Sequence, residues 1–358
     1  MSKYKFEPDY VVTPGATLKE SIEMKGISQT ELAQRTGLTE KTISQIINGI
    51  APISYETAGK LELVTGAPAS FWNRRELGYR EALSRRKELA TLAEHKDWLK
   101  EIPLDDLIER GFVEPSEDSG TLVHRALRFF GIGSVEAWRG SLLSMSAQYR
   151  SNKANDKYPG FVSAWLRMGE LQAEAIECER FNGQEFRRLL QQEVRTLTAT
   201  SASVWRKTLP ELCAQAGVAV VFTKEIARAA VSGAARWLPK KDVALIQVSL
   251  KFKTDDQLWF SFYHEAGHIL LHGKRQLYVD YGGGNEAEDE READGFARDL
   301  LIPRQYIGQF HQLKRKADIR RFAALVGTSP GVVVGRLQHD KYLPPSHCND
   351  LKAKLKWK

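Results

Sequence analysis

The sequence contains few cysteines and no long apolar segment. Its three cysteines, Cys178, Cys213 and Cys348, lie far apart and form no C-x-x-C pair, so we interpret them as ordinary thiols rather than a disulfide framework. No apolar run approaches the roughly 18–20 residues that span a bilayer. The first ten residues are polar and include acids, unlike a secretory signal. We therefore expect a cytoplasmic protein with no membrane partner.

The length and the charge set two further limits. At 358 residues the chain exceeds one ordinary domain, since domains run to roughly 100–200 residues, and it indicates two or three. The 52 lysines and arginines outnumber the 45 acids, which gives a net charge of +7. A basic chain permits a polyanionic partner but does not establish one, because many basic proteins bind no nucleic acid.

Two short helices joined by a glycine turn are predicted near the start of the chain. Ser28 with Glu31 forms a capping box for the first helix, and Gly37 supplies a turn that favours positive φ. Thr39 caps the second helix, which Asn48 ends. The apolar stripe of the second helix consists of Ile43, Ile46 and Ile47. This pattern is typical of a helix-turn-helix.

The polar face of the second helix is the predicted DNA-reading surface. In this motif the N-terminal half of the second helix enters the major groove, where Gln45 and Lys41 can pair with adenine and guanine edges. Gln29, at the start of the first helix, is positioned for a phosphate. The predicted DNA-binding residues are Gln29, Thr39, Glu40, Lys41, Thr42, Ser44 and Gln45. A small helical bundle without a DNA role is the alternative.

Residues 14–80 resemble the Cro/C1-type (XRE) helix-turn-helix family, and within it the HigA-type antitoxins. The resemblance is carried by Pro14-Gly15, by the segment from Gly26 to Gln29, by Ile43 to Gly49, and by Phe71-Trp72-Asn73 with Tyr79. It implies operator binding as a homodimer on double-stranded DNA, control of the protein's own transcription, and a cognate toxin as a partner.

The strongest chemical signal is an H-E-x-x-H motif, His264-Glu265-Ala266-Gly267-His268. Positions four apart on a helix lie about 40° apart around its axis, so both histidines face one way and can bind one zinc ion. Glu265 lies beside them as the catalytic base. Thr254 with Gln257 predicts a capping box at the start of this helix, and Val243 to Leu250 predicts a preceding strand.

A third ligand is expected on a later helix, 285–301. The metzincin pattern would need glycine at 271 and histidine at 274, but the chain has Leu271 and Lys274, so a carboxylate is expected instead. The helical wheel places Glu290 and Asp294 on the apolar side and Glu292 on the other. We predict Glu290 as the ligand, with Glu292 as the alternative, and Asp294 as the acceptor of a hydrogen bond from a ligating histidine.

Residues 217–345 resemble the ImmA/IrrE metallopeptidase family, which is gluzincin-like. The matching segments are Ser232 to Ala235, Leu258 to His272, Glu290 to Ala297 and Leu300 to Pro303. The resemblance implies one zinc ion per chain and proteolysis of a regulatory protein. His272 matches the family's trailing histidine, which we interpret as a supporting residue rather than a fourth ligand.

Two segments allow alternative interpretations. Tyr278, Tyr281 and the glycines 282–284 could cover the cleft and stabilise an oxyanion, or form a plain connector, which we favour. The segment from Ile319 to Leu337 has a helix, a glycine turn and a second helix. It could contact DNA, but the same pattern closes many members of the metallopeptidase family.

The predicted fold is mainly α with a small β-sheet in the C-terminal domain. We expect an all-α helix-turn-helix domain over 1–83, a helical connector over 84–203, an α+β gluzincin-like domain over 204–345 and a basic tail over 346–358. The predicted function is a DNA-binding regulator that carries a zinc peptidase. The alternative is a non-proteolytic repressor or antitoxin whose second domain is a sensor or a toxin-binding scaffold.

Overall fold

The fold is that of a computed structural model, which describes residues 12–148 (backbone only at 145–148), 158–229, 231–238, 242–272, 277–280 and 288–357. The chain divides into two compact units, which are described separately. The first consists of Met1–Lys96 with Asp118–His124, and the second of Asp97–Glu117 with Arg125–Lys358.

The described part of the first unit begins with five helices that have well-defined ends. They are α1 Pro14–Met24, α2 Gln29–Thr36, α3 Glu40–Ile47, α4 Tyr55–Thr65 and α5 Ala69–Ala93. The hydroxyl groups of Ser28 and Thr39 each accept a backbone N–H, from Glu31 and Thr42, at 3.1 Å, so both predicted caps are confirmed. Gly37 has φ of 67°, which confirms the predicted left-handed turn.

The core of the first unit fixes α3 against α1. Leu18, Ile43 and Trp72 are fully buried at its centre. Gly15 of α1 lies against the carbonyl groups of Ile46 and Ile47, and a Cβ at this position would overlap them. The missing side chain therefore lets the two helices approach closely, which sets the position of the predicted DNA-reading helix.

The second unit surrounds a four-stranded mixed sheet in the order β1-β3-β2-β4. The strands are β1 Val218–Phe222, β2 Gly233–Leu238, β3 Val243–Val248 and β4 Tyr278–Asp280. Strands β1 and β3 pair in parallel, whereas β2 pairs antiparallel with both β3 and β4. The predicted strand that precedes the H-E-x-x-H helix is thereby confirmed as β3.

Helices of the second unit occur before, between and after the strands. They include α6 Leu104–Glu109, α8 Val135–Gln148, α9 Pro159–Glu174, α10 Gly183–Leu189, α11 Arg195–Leu197, α12 Ala202–Gln215, α13 Asp255–Leu271, α14 Glu288–Leu301, α15 Lys316–Val326 and α16 Pro330–His339. Helix α7 Ser119–Phe130 contributes residues to both units. A π-helical segment, Leu190–Val194, joins α10 to α11, and 3₁₀ turns occupy Lys96–Glu101, Arg304–Gln312 and Asn349–Leu351.

Both faces of the sheet are covered, and the strands alternate accordingly. In β1, Val218 and Val220 belong to the core that includes α12 and α13, whereas Ala219 and Val221 pack with Ala173 of α9 on the opposite side. Such alternation follows from the two-residue period of a strand. Helix α9 lies within the segment that the sequence predicts as a connector, so this part of the connector forms a layer of the second unit.

The C-terminal residues pack against the start of α13. The backbone N–H of Asp255 donates to the carbonyl of Ala353 at 3.0 Å, and the N–H of Ala353 donates to the Asp255 carboxylate at 2.8 Å. Leu355 is buried in the main core. Thr254 makes no side-chain cap bond, so the predicted capping box is wrong. The segment around Ala353 satisfies the helix end through its backbone instead.

The second helix pair, α15 and α16, packs against α13 through α16. Val332, Val333 and Leu337 of α16 are buried, and Gly331 and Gly335 lie against the carboxylates at the start of α13. The pair serves as a support for α13. The mainly α fold with a small sheet in the second unit is confirmed. No helix in the described part of the chain is long and apolar enough to cross a membrane.

Candidate metal centre and DNA-reading helix

The H-E-x-x-H motif lies in the middle of α13, the most buried helix of the second unit. Two turns of apolar residues precede the motif, and Trp259 and Phe262 among them are fully buried. His264, Glu265 and His268 are at most 4% exposed. Burial on this scale is costly for polar side chains that lack partners, so the partners of each side chain decide what the site can do.

Three potential ligand atoms converge between α13 and α14. The Nε2 atoms of His264 and His268 lie 3.0 Å apart. The Glu290 carboxylate lies 3.1 Å from Nε2 of His264 and 3.7 Å from Nε2 of His268. Neighbouring ligands of a tetrahedral zinc ion with bonds of about 2.0–2.1 Å lie about 3.3 Å apart. The spacing and the donor types are therefore those of a divalent metal site.

The contacts behind the two imidazoles orient their Nε2 atoms toward that point. Nδ1 of His264 lies 2.9 Å from the Asp294 carboxylate and donates to it, so Nε2 is the nitrogen that faces the other two ligand atoms. Nδ1 of His268 lies 3.0 Å from Nδ1 of His272. His272 in turn lies 3.2 Å from Glu292, whose side chain is 55% exposed, against 19% for Glu290.

The ionisation of the three groups is strongly coupled. Burial lowers the pKa of His264, but hydrogen bonds to Asp294 and Glu290 outweigh burial and leave it well above its usual value. Burial lowers the pKa of His268. Glu290 is also partly buried, yet its bonds to both histidines lower its pKa to about 2. The Glu290 carboxylate is therefore ionised at neutral pH.

Glu265 is fully buried, and its carboxylate has no hydrogen-bond partner among the described residues. Burial raises the pKa of Glu265 well above its ordinary value, and the charges of Asp280 and Glu290 raise it further. Gly233 of β2 provides the space for the carboxylate, because a Cβ at 233 would lie 2.5 Å from Oε1 of Glu265. An unpaired carboxyl group next to a metal-type donor set can exchange a proton with a reactant bound there.

Two residues of β4 complete the surroundings of the site. The ring of Tyr278 stacks on the imidazole of His268 with centroids 3.9 Å apart, and its hydroxyl donates to Asp289 at 3.1 Å. Sequence reasoning noted Tyr278 but missed this stacking, and it gave Gly233 and Asp280 no role at all. The antiparallel pairing of β4 with β2 brings Tyr278, Asp280 and Gly233 to the site. Such a pairing joins distant segments, so no local sequence pattern predicts it. Tyr281, the glycines 282–284 and Asn285 lie outside the described residues.

In the first unit, the predicted DNA-binding residues lie along the start of α2 and one face of α3. Gln29, Thr39, Glu40 and Lys41 are exposed. Thr42, Ser44 and Gln45 are half-buried. Asn48 donates to the carbonyl of Ser44 at 2.8 Å, which holds the end of the helix. The arrangement leaves Lys41 and Gln45 accessible, as a groove-reading helix requires, and their contact with DNA stays a prediction.

Comparison with known proteins gives two separate matches. Residues 18–72 match the helix-turn-helix family, and residues 219–338 match the family described as IrrE N-terminal-like domain. A solved structure described as an addiction module antidote protein of a HigA family, from Coxiella burnetii, is 22% identical. The aligned region covers 24% of this chain and 92% of the Coxiella burnetii chain, and the TM-score is 0.22. No curated protein matches the chain.

Proposed function

We propose that this chain, which joins an XRE-type helix-turn-helix domain to an IrrE-like metallopeptidase domain, is a DNA-binding regulator that also cleaves a regulatory protein. The observation that carries the peptidase proposal is the convergence of the ligand atoms of His264, His268 and Glu290 within 4.8 Å of one another. The helix-turn-helix domain of the first unit, residues 18–72, is called the reader below and would bind operator DNA as a homodimer. The likeness of residues 14–80 to HigA-type antitoxins adds a cognate toxin as a proposed partner.

The donor set fits zinc better than a hard cation such as Mg²⁺ or Ca²⁺. Two imidazole nitrogens and one carboxylate are the usual ligands of zinc in hydrolytic sites, whereas the hard cations favour oxygen ligands. His264, His268 and Glu290 would hold one zinc ion per chain. The acceptor behind His264 is Asp294, and a carboxylate in that position orients a ligating imidazole and raises its basicity.

Glu265 is the residue that would move the proton. A zinc ion, when bound, supplies a Lewis acid that makes water and a peptide carbonyl more reactive. The Glu265 carboxylate lies beside the donor set and has no hydrogen-bond partner among the described residues, so it would take a proton from the attacking water and return it to the leaving amine. Gly233 keeps the space in which this carboxylate lies, and Tyr278 holds the His268 ring by stacking on it.

A second candidate function is a non-proteolytic repressor or antitoxin whose peptidase-like domain is a sensor or a toxin-binding scaffold. The complete burial of Glu265, together with the ring of Tyr278 on His268, favours it, because a base that takes protons from a reactant must be reachable. The two candidates share the DNA partner and the metal, and they differ only in turnover.

Metal analysis of the purified full chain tests the site. We expect about one zinc ion per chain in the wild type and in Glu292→Gln, but less than a tenth of that in Glu290→Gln. Glu292 is the matched control because it lies on the same helix, is exposed and contacts His272 rather than His264 or His268. Equal loss in both variants, or loss in Glu292→Gln alone, would contradict the assignment of Glu290.

Cleavage assays distinguish the two candidates. The zinc-loaded chain is incubated alone and with proteins that co-purify with it, and new termini are identified by mass spectrometry. Glu265→Gln keeps the metal ligands, so it should retain zinc and reduce cleavage by roughly 10²–10⁴-fold, the usual contribution of a general base. Identical cleavage by Glu265→Gln would exclude the mechanism. Absence of cleavage with zinc bound would favour the scaffold.

A further inference from the structure

A cavity of about 170 Å³ lies between α13, α14 and α16, apart from the metal ligands. Its walls are apolar, formed mainly by Phe260, Leu301, Ile302 and Val332. Gly335 lies against Asp256 where α16 meets α13, so no side chain of that residue fills the space. A cavity of roughly 150 Å³ lined by apolar side chains is large enough to hold a benzene ring.

The charged groups around the cavity differ in how they are compensated. Asp256 pairs with Lys352 at 2.7 Å, and its carboxylate oxygens are out of contact with solvent. Arg336 pairs with Asp340 at 2.6 Å, and Asp340 also contacts His339 at 2.9 Å. Within the described part of the chain, the guanidinium of Arg298 has neither an ion pair nor a hydrogen bond. As far as the described residues show, the cavity therefore has an apolar body and, at Arg298, a positive charge without an ion-pair partner.

We propose that this cavity binds a small aromatic carboxylate, of the size of benzoate. The ring would occupy the apolar space against Phe260, where aromatic rings gain from edge or offset contacts. The carboxylate would accept two parallel hydrogen bonds from Arg298, the geometry for which a guanidinium is suited. A few polar groups at one end of an apolar pocket are typical of small-molecule sites. This site is independent of the proposed peptidase.

Fluorine NMR of 4-fluorobenzoate with the full chain tests the proposal. We expect concentration-dependent broadening of the ligand signal by the wild type. Binding of 4-fluorobenzamide, which has the same shape but no charge, should be at least about tenfold weaker, and 4-fluorobenzylamine should not compete. Equal binding of the amide, preference for the amine, or no broadening at millimolar concentrations would overturn the proposal.

Variants and metal removal separate this cavity from other sites. Arg298→Gln should weaken binding about tenfold or more, whereas Arg320→Gln removes an exposed arginine of α15 and should leave it unchanged. Gln257 lies exposed at the cavity, so Gln257→Trp should block entry without disturbing the core. A carboxylate could also bind zinc, so the titration is repeated after chelation. Binding that disappears with the metal, or survives both Arg298→Gln and Gln257→Trp, would overturn the proposal.

Discussion

The two functional regions keep their polar side chains in opposite places. In the reader, the side chains predicted to meet DNA lie exposed or half-buried along α2 and α3, above an apolar core that includes Leu18, Ile43 and Trp72. In the second unit, His264, Glu265 and His268 are buried and depend on groups from α14, β2 and β4. In the reader, the residues predicted to bind DNA differ from those that form the stabilising core. In the metal centre, the same buried residues serve both purposes.

The two regions should therefore differ in how they tolerate amino-acid substitutions. An exposed polar side chain can be replaced with little effect on the free energy of unfolding, usually within about 0.5 kcal/mol. A buried polar residue has neighbours whose hydrogen bonds or space it determines, so its replacement affects both folding and chemistry. The variants below test this difference, beginning with the largest expected effect.

Gly233→Ala should damage the metal centre without touching a ligand. The added methyl group would lie 2.5 Å from Oε1 of Glu265 and 2.9 Å from its Cγ, so the carboxylate must move. We expect proteolysis to fall at least about 100-fold, by loss of the positioned base, with zinc content unchanged. Overpacking should also lower the free energy of unfolding by about 1–3 kcal/mol.

A matched glycine is available on α14. Gly295→Ala adds the same methyl group where the nearest atom is 4.0 Å away, so it should keep full activity and gain up to about 1 kcal/mol of stability. If Gly233→Ala behaved like Gly295→Ala in thermal unfolding and in activity, the space around Glu265 would have no functional role.

Gly15→Ala should disrupt the packing of α1 against α3 in the reader without changing its predicted DNA-binding residues. The new Cβ would overlap the carbonyl groups of Ile46 and Ile47, which separates α1 from α3. We expect the free energy of unfolding of this unit to fall by about 3 kcal/mol, and DNA binding to weaken as well. Gly59→Ala, in α4 with open space around it, is the control and should fold normally. Hydrogen exchange of α1–α3 amides would show no difference between the two if the contact were unimportant.

Much of the reader was predictable from sequence because its signals are local. The caps at Ser28 and Thr39, the glycine turn at Gly37 and the helix end at Asn48 each involve residues at most four apart. Such signals depend on backbone geometry that a short segment determines by itself. The sequence also predicted the helix of the H-E-x-x-H motif and the strand before it.

The parts that escaped prediction depend on distant residues. The start of α13 is satisfied by Ala353, nearly a hundred residues later, and not by the expected capping box at Thr254. Tyr278 reaches His268 only because β4 pairs with β2. Sequence periodicity gives the face of a helix but not the neighbour of that face. The helical face of Glu290 could be predicted from periodicity. The role of Gly233 could not, because it depends on which residue packs against it.

Gln45→Ala tests the opposite behaviour in the reader, a loss of binding without a loss of stability. A good pair between a side chain and a base edge contributes about 1–3 kcal/mol of discrimination, so affinity for promoter DNA should fall about tenfold. Non-specific DNA affinity should not change. Gln34→Ala, an exposed residue of α2, is the control. Mobility-shift titrations at fixed salt measure both; equal losses on specific and non-specific DNA would argue against base reading by Gln45.

Asp255→Asn tests how the buried carboxyl group at the start of α13 affects stability at different pH values. Burial raises the pKa of Asp255 above its ordinary value of 3.8, and the charge of Asp256 raises it further, against the hydrogen bond from Ser329. A raised pKa in the folded state gives stability that is complete below the unfolded pKa and is lost as pH rises through the folded pKa. The asparagine does not titrate, so its free energy of unfolding relative to wild type should improve as the pH rises from below 3.8 toward neutrality. Asp318→Asn is the control of opposite sign, because Arg315 lowers the pKa of that half-buried acid and its contribution is lost as pH falls. Parallel stability curves for wild type and Asp255→Asn would mean that the start of α13 tolerates a charge as readily as the surface of the reader does.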